Sequence, residues 1–355
     1  MINFVDDLQT IIKNFNLSGQ WVFFFILVAT VFITAVLLPK LMINLFAKVS
    51  ISPIVIGTFL ISIITSIPEL ISTVFFPIFS ETTFSGEIKS FSNIFGANFL
   101  SLTVLCLLDF IFFRWFFFRS NTQIVKISGL LTIVFNLLFL FAISFPELFL
   151  NEQIPFLNIS FFLVFLVLIY IIFLIWSHLK VPESYKNFLI RKRNFFKYRY
   201  SLFALGVVVL LLIYLLILSM LFLIVLANHF QQIYKISDYS VGGIVFAFIT
   251  SSPEIWSMTA MFWMGFGGAA IGIIAGSHLI NMLFLIFLDL RNGNQSFAQL
   301  SVESLIFLIF VTLLTSIVIF VRYFHFLSYK PSVYFLAPFL VIIIFTLGWG
   351  QILIK

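Results

Sequence analysis

The chain is 355 residues long, 62% hydrophobic and only 9% charged, with a mean hydropathy of +1.21. This excludes a soluble globular domain and defines a polytopic membrane protein. Its formal charge of +6 is accounted for by cytoplasmic loops and anionic lipid headgroups, without nucleic acid, and the single cysteine, Cys106, can form neither an internal disulfide nor a thiolate metal site.

A spanning helix needs roughly 20 apolar residues. Ten such stretches follow one another, near residues 20–38, 51–78, 88–113, 124–145, 156–178, 201–228, 240–264, 266–288, 299–321 and 332–354. The segment before the first carries Asp6 and Asp7 and lacks the basic start and cleavage site of a signal peptide, so the first span is expected to act as an uncleaved anchor. The longest internal polar interval, 180–200, is rich in Lys and Arg and divides the chain into 1–179 and 201–355, with five spans each. Of the 19 basic residues, 14 fall in the odd-numbered connections, which the positive-inside rule makes cytoplasmic, with both termini outside. An odd number of spans per half inverts the second half relative to the first. The expected fold is therefore all-α, with two inverted five-helix repeats and broken helices at a central site. Phe/Ile/Asn/Lys-rich usage and the lack of large loops point to a prokaryotic inner membrane.

Two strings carry the chemistry. Thr65-Ser66-Ile67-Pro68-Glu69 and Thr250-Ser251-Ser252-Pro253-Glu254 lie 185 residues apart, inside the second and seventh spans. Gly57 and Gly242 each precede the threonine by eight positions, and Gly96-Ala97-Asn98 and Gly276-Ser277-His278 follow in the next spans. On a helix Ser62, Thr65, Ser66 and Glu69 share one face, as do Ala247, Thr250, Ser251 and Glu254. Pro68 and Pro253 have no N–H for the carbonyls of Ile64 and Ile249, so each helix is expected to kink and release a backbone oxygen beside the hydroxyls. Carboxylate, hydroxyl and carbonyl oxygens suit Na⁺ and Ca²⁺ rather than soft metals. Neither glutamate is near a helix end from which it could snorkel, and an intramembrane acid marks an ion or proton path. Facing each other near the midplane, the two carboxylates must hold cations or take up a proton.

These paired motifs resemble the cation/Ca²⁺ exchanger superfamily over Ser52 to about Asp109 and Ser240 to about Asp289. The resemblance implies ten helices in inverted halves and a secondary active antiporter needing no cofactor. Its partners would be membrane lipid and the transported cations, Ca²⁺ and Na⁺ or H⁺. It implies that Glu69 and Glu254 are the central Ca²⁺ ligands, shared with Na⁺. Thr65, Ser66, Thr250 and Ser251 would supply hydroxyl and carbonyl oxygens, and Ser62 and Ala247 backbone carbonyls. On the following helices the ligand positions fall at Ala97 and Ser101, and at Ser277 and Asn281. Here the chain departs from the family pattern: Ala97 has no side-chain oxygen, Ser101 stands where Asn is usual, and His278 occupies another usual Asn position.

His278 either carries or gates protons or bonds across helices in a polar core, and Asn93 and Asn98 either line the site or join helices. Asp109 and Asp289 are expected in interfacial ion pairs with Arg114 and Arg291. The 52 phenylalanines are lipid-facing bulk or packing. No phosphate-binding loop of the Gly-x-x-x-x-Gly-Lys type occurs, which argues against direct ATP drive. A channel would use the same oxygens without needing a countercation. An intramembrane hydrolase is disfavoured because Ser277 and His278, adjacent on a helix, point about 100° apart.

Overall fold

The structure, a computed structural model, describes residues 14–47, 56–80, 82–112, 123–145, 160–179, 201–263 and 267–292, with residues 10, 12, 306, 309 and 313. The basic interval 180–200, nearly all of the spans near 299–321 and 332–354, and the N-terminal Asp6 and Asp7 lie outside the described residues. Among those residues the elements are all helices. They are α1 (Leu17–Ala47), a π-helical turn π1 (Ile56–Ile61), α2 (Ser62–Thr65), α3 (Ile67–Phe79), α4 (Thr83–Phe112), α5 (Gln123–Ser144) and α6 (Phe161–Leu179). After these come α7 (Leu202–Tyr234), the single turn α8 (Asp238–Ser240), π2 (Val241–Phe246), α9 (Ala247–Trp263), α10 (Gly267–Phe284) and α11 (Ile286–Asn292). Segments Leu17–Leu38, Phe59–Phe79, Phe203–Tyr234 and Gly272–Leu290 are long and apolar enough to cross a bilayer. The protein is an integral membrane protein.

The two motif-bearing helices are built alike on their N-terminal side. Both π-helical turns are six residues long and start 185 residues apart, the same offset as the motifs, and each runs directly into the helix that carries the hydroxyls. A π-turn widens the backbone spiral by one residue and commonly sits at a functional site. Crossing contacts repeat as well: α4 packs on π2, and α10 packs on π1. At the α4–π2 crossing the backbones touch. A Cβ on Gly96 would lie 2.4 Å from the Gly243 carbonyl oxygen, and one on Gly242 would lie 2.3 Å from the Lys89 carbonyl oxygen. Only glycine permits that approach, the small-residue packing that joins helices where lipid removes any hydrophobic drive.

Past the hydroxyls the two helices differ. Ser66, at φ −90° and ψ 7°, separates α2 from α3, and Pro68 opens the new helix at its first turn. In the second half α9 runs continuously through Pro253. The carbonyl that Pro253 deprives of an N–H, Ile249 O, instead accepts from Ser252 Oγ at 2.7 Å. The expectation of a freed carbonyl in both halves is thus corrected for the second. The residue between Ser and Pro is Ser252 there, which supplies a hydroxyl, and Ile67 in the first half, which has none.

Phenylalanine fills the volume around these helices. Phe91, Phe95 and Phe139 pack ring to ring, with centroids 4.5 to 6.3 Å apart, and Phe76 meets Phe246 edge-on at 4.6 Å. Others, such as Phe25, Phe165 and Phe203, are exposed on the outer surface, where lipid lies. Both expected uses of phenylalanine occur. Asp289 departs from expectation: it is buried, and its Oδ2 accepts the N–H of Ser160 at 2.7 Å, at the start of α6. Its carboxylate therefore caps the start of a helix from a buried position rather than an interfacial one, and the side chain of Arg291 lies outside the described ones. The side chains of Asp109 and Arg114 lie outside the described residues.

Replacing Gly96 or Gly242 with alanine is expected to cost about 1–3 kcal/mol through overpacking and to lower the melting temperature in detergent. Gly206→Ala, with nothing within 4 Å of the added carbon, is the control. Equal melting temperatures for all three variants would show that the close crossing does not exist.

Candidate cation-binding site

Glu69 and Glu254 are both fully buried, 0% exposed, and the hydroxyl of Ser66, three residues before Glu69, reaches the Glu254 carboxylate. Each motif furnishes a hydroxyl to the neighbourhood of the other's acid. Ser66 Oγ donates to Glu254 Oε1 at 3.1 Å and is 2.7 Å from Ser277 Oγ, and Ser277 donates to the same Glu254 oxygen. Thr250 lies beside the Glu69 carboxylate while its hydroxyl donates to Asn93 Oδ1 at 3.1 Å. Asn93 in turn donates to Ser72 Oγ at 2.6 Å. The Asn281 amide lies beside Glu254 and donates to Asn98 Oδ1 at 2.9 Å.

Four oxygens remain without a donor. Glu69 Oε1 and Oε2, Glu254 Oε2 and Asn281 Oδ1 are buried and accept no hydrogen bond. A bare buried oxygen costs on the order of 1–3 kcal/mol, more if charged, and all four are acceptors. A cation, a proton or a bound water can satisfy such a set. Ca²⁺ takes 6–8 oxygens in flexible geometry, and the donor set of two carboxylates, an amide and hydroxyls has that chemistry.

Several expected ligands face elsewhere. The Ser62 hydroxyl donates to Ile273 O on α10 at 2.9 Å, and its carbonyl accepts from Thr65 Oγ1 at 3.2 Å and Ser66 N at 2.9 Å. Ser251 Oγ donates to Ala247 O, at the lower limit of hydrogen-bond length. The two backbone carbonyls expected to face cations are therefore engaged by the threonine and serine of their own motifs. Ala97 is buried and apolar. Ser101 Oγ and His278 Nε2 are 2.8 Å apart, so of the two readings of His278 the geometry displays a bond across helices. Asn98, through Asn281, joins helices in the same way. Asn93 does both, touching Thr250 of the site and Ser72 of the helix beside it.

Ser72 and Ser257 were not anticipated. Each follows its glutamate by three positions, is fully buried, and donates to a carbonyl at the motif, Glu69 O at 2.8 Å and Pro253 O respectively. The signal was present, since the repeat extends to Thr-Ser-x-Pro-Glu-x-x-Ser in both halves. Thr73 adds a second hydroxyl to Glu69 O at 2.7 Å, with Met258 at the corresponding place.

A helical integral membrane protein with two buried carboxylates brought together from matched helices is the class that fold and site define. Residues 204–348 match the sodium/calcium exchanger protein family. The fold is similar to that of the sodium-calcium exchanger NCX_Mj soaked with 2.5 mM Na⁺ and 0.1 mM Ca²⁺, at TM-score 0.59 and 17% identity, covering 91% of this chain and 96% of that one. The same exchanger soaked with 2.5 mM Na⁺ and 10 mM Sr²⁺ gives TM-score 0.57 and 16% identity, covering 94% and 97%. No curated protein sequence matches. The resemblance is to the cation/Ca²⁺ exchanger superfamily, in sequence over the second half and in fold over nearly the whole chain. Members of that family are transporters, not enzymes.

Ca²⁺ is expected to raise the melting temperature of the purified protein. A ligand at 100 times its Kd adds about 2.7 kcal/mol, and Glu69→Gln should erase the shift. A Glu69→Gln protein stabilised by Ca²⁺ as much as wild type would place the cation elsewhere.

Proposed function

We propose that this chain is a secondary active cation antiporter that exchanges Ca²⁺ for Na⁺ by alternating access. The observation that carries the reading is the set of four donorless buried oxygens on Glu69, Glu254 and Asn281. With both carboxylates ionised and no cation between them, the site is the least favourable state of the cycle. Ca²⁺ leaving on one side must therefore be replaced before the site passes to the other side. Coupling is a consequence of this charge requirement, and it separates an antiporter from a channel, whose site needs no reset. Moving one net charge across 100 mV is worth about 2.3 kcal/mol, so an electrogenic Na⁺-driven cycle lifts Ca²⁺ against a steep gradient.

Glu69, Glu254, Ser66, Thr250, Ser277 and Asn281 are the side chains assigned to the cations in this reading. Residues 1–179 and 201–355 act as two inverted five-helix halves joined by the cytoplasmic interval 180–200, with both termini outside a prokaryotic inner membrane. The contact pairs between halves support this arrangement, because Ser101 with His278 and Asn281 with Asn98 are the same two positions exchanged between repeats. A proton-driven cycle would use the same pair of acids, a proton standing in for Na⁺ on one of them.

Radiolabelled Ca²⁺ uptake into Na⁺-loaded proteoliposomes tests the proposal. Uptake is expected to require internal Na⁺, to persist without a pH gradient, and to fall by about tenfold or more in Glu69→Gln and Glu254→Gln, the loss of a buried charge partner being worth 3–5 kcal/mol. Uptake driven by a pH gradient alone would assign the proton instead. Full activity in either variant would remove the site from the mechanism.

A further inference from the structure

Three of the apolar spanning segments end together. One begins at Leu17, one ends at Phe79, and the one on α7 ends at Tyr234. Trp21 stacks on Phe230 at 4.4 Å and donates to the Tyr234 hydroxyl at 3.2 Å, while Asn228 Nδ2 donates to Phe79 O at 3.2 Å. Trp and Tyr gather at the level of the lipid headgroups, so this end of the bundle lies where hydrocarbon gives way to phosphate and water. A cavity of about 430 Å³ opens there, lined by Ser85, Lys89, Asn228, Gln231, Lys235 and Asp238 among others.

The inner wall of the cavity satisfies its own charge. Lys89 is 2% exposed, and its Nζ donates to Asn228 Oδ1 at 2.7 Å and to Ser80 Oγ at 3.2 Å and lies 3.4 Å from Asp238 Oδ1. The same aspartate oxygen accepts from Ser85 Oγ at 2.7 Å and from Gln231 Nε2 at 2.6 Å. The outer wall is different. Among the described residues every donor to Asp238 goes to Oδ1 and none to Oδ2, and the side chain is 25% exposed. Lys235 is exposed and forms no ion pair among those residues.

The backbone at Lys235 adds a second observation. This residue ends α7 in the left-handed region, at φ 54° and ψ 43°, with its N–H on Gln231 O. Glycine takes that position without strain, and what a lysine brings there instead is a charge beside the cavity. Next to the polar wall the surface is apolar, with Phe84, Ile233 and Ile236 each between 36% and 45% exposed. An ammonium and a carboxylate oxygen without partners, set beside exposed apolar side chains at headgroup depth, complement a molecule of matching design. It carries a phosphate and an ammonium at one end and acyl chains at the other.

We propose that this cavity is a headgroup site for a zwitterionic phospholipid with a primary ammonium, of the phosphatidylethanolamine kind. Lys235 donates to the phosphate, Asp238 Oδ2 accepts from the ammonium, and the acyl chains lie over Phe84, Ile233 and Ile236. The volume is within the range of small-molecule pockets. A choline headgroup, its nitrogen fully methylated, has no N–H to give Asp238, and a glycerol headgroup brings no cation at all. The site shares no side chain with the carboxylate pair and does not rest on the antiport reading.

Native mass spectrometry tests it on the full-length protein, released from micelles holding equal amounts of phosphatidylethanolamine, phosphatidylcholine and phosphatidylglycerol. The ethanolamine lipid is expected to be retained about tenfold over either competitor, the worth of one charge-assisted hydrogen bond. Lys235→Gly should abolish that retention while melting no lower than the parent in lipid-free detergent, because glycine relieves the left-handed backbone. Asp238→Asn should bring the ethanolamine and choline lipids level. Because Asp238 also faces Lys89, Lys235→Gly decides the matter should Asp238→Asn fail to fold. Equal retention of the three lipids by the parent, or a Lys235→Gly protein that keeps the preference, overturns the site. Preference for the glycerol lipid overturns the ammonium contact and with it the zwitterionic class. Soluble phosphoethanolamine that raises the parent's melting temperature but not that of Lys235→Gly, with no lipid retained, overturns the lipid as source in favour of the free headgroup.

Discussion

Two carboxylates buried together inside one helical bundle are the constraint around which this protein is arranged. Glu69 and Glu254 are each fully buried, and between them they leave three oxygens with no hydrogen-bond donor. An uncompensated charge in low dielectric costs several kcal/mol, and two of like sign cost more. Among the described residues no side chain donates a hydrogen bond to those three oxygens. The hydroxyls nearby are shared among carbonyls and one carboxylate oxygen, and the one described lysine of the bundle's interior is committed to Asp238. The deficit is therefore a property of the fold, and the antiport reading proposed above supplies positive charge from solution to meet it.

The deficit is not equally divided. Glu254 Oε1 receives hydroxyls from Ser66 and Ser277, whereas neither oxygen of Glu69 receives any. The difference traces to two positions. Ser277 follows a glycine on α10, and at the matching place on α4 the residue is Ala97, which is buried and has nothing to donate. Ser251, the counterpart of Ser66, turns its hydroxyl to Ala247 O instead of across to the other acid. The two matched motifs thus present one hydrogen-bonded carboxylate and one bare carboxylate. In the antiport reading proposed above, Glu69 is where an entering cation finds the most uncompensated charge.

Much of this was legible in the residues themselves. Charge and proline inside an apolar run marked the two helices, and the 185-residue offset aligned them closely enough to place Ser62, Thr65, Ser66 and Glu69 against their counterparts. Three things were not legible. The π-helical turns have no composition signature, because Ile56–Ile61 and Val241–Phe246 read as ordinary apolar helix and widen only under packing from α4 and α10. The fate of the carbonyls was hidden for a different reason. Proline fixes which N–H is missing but not which hydroxyl takes its place, and Ser252 rather than a cation does so at Ile249. The setting of Lys89 was hidden because a charge near the start of a span looks interfacial until its partners are known. Those partners, Asn228 and Asp238, lie 139 and 149 positions away.

The polar pairs beside the acids show how such a site tolerates divergence between its halves. Positions 98 and 278 correspond, as do 101 and 281, and the structure pairs each with the other's counterpart: Asn98 with Asn281, and Ser101 with His278. In the first pair two amides of equal length meet. In the second the hydroxyl is short, and an imidazole supplies the missing reach to close the gap at 2.8 Å. The two pairs thus bridge α4 and α10 with similar combined reach, at 2.9 and 2.8 Å. A histidine that looks in isolation like a proton carrier is in this setting the geometric complement of a serine. Loss of its bond would leave buried polar groups on α4 and α10 without the partner they have across the two helices.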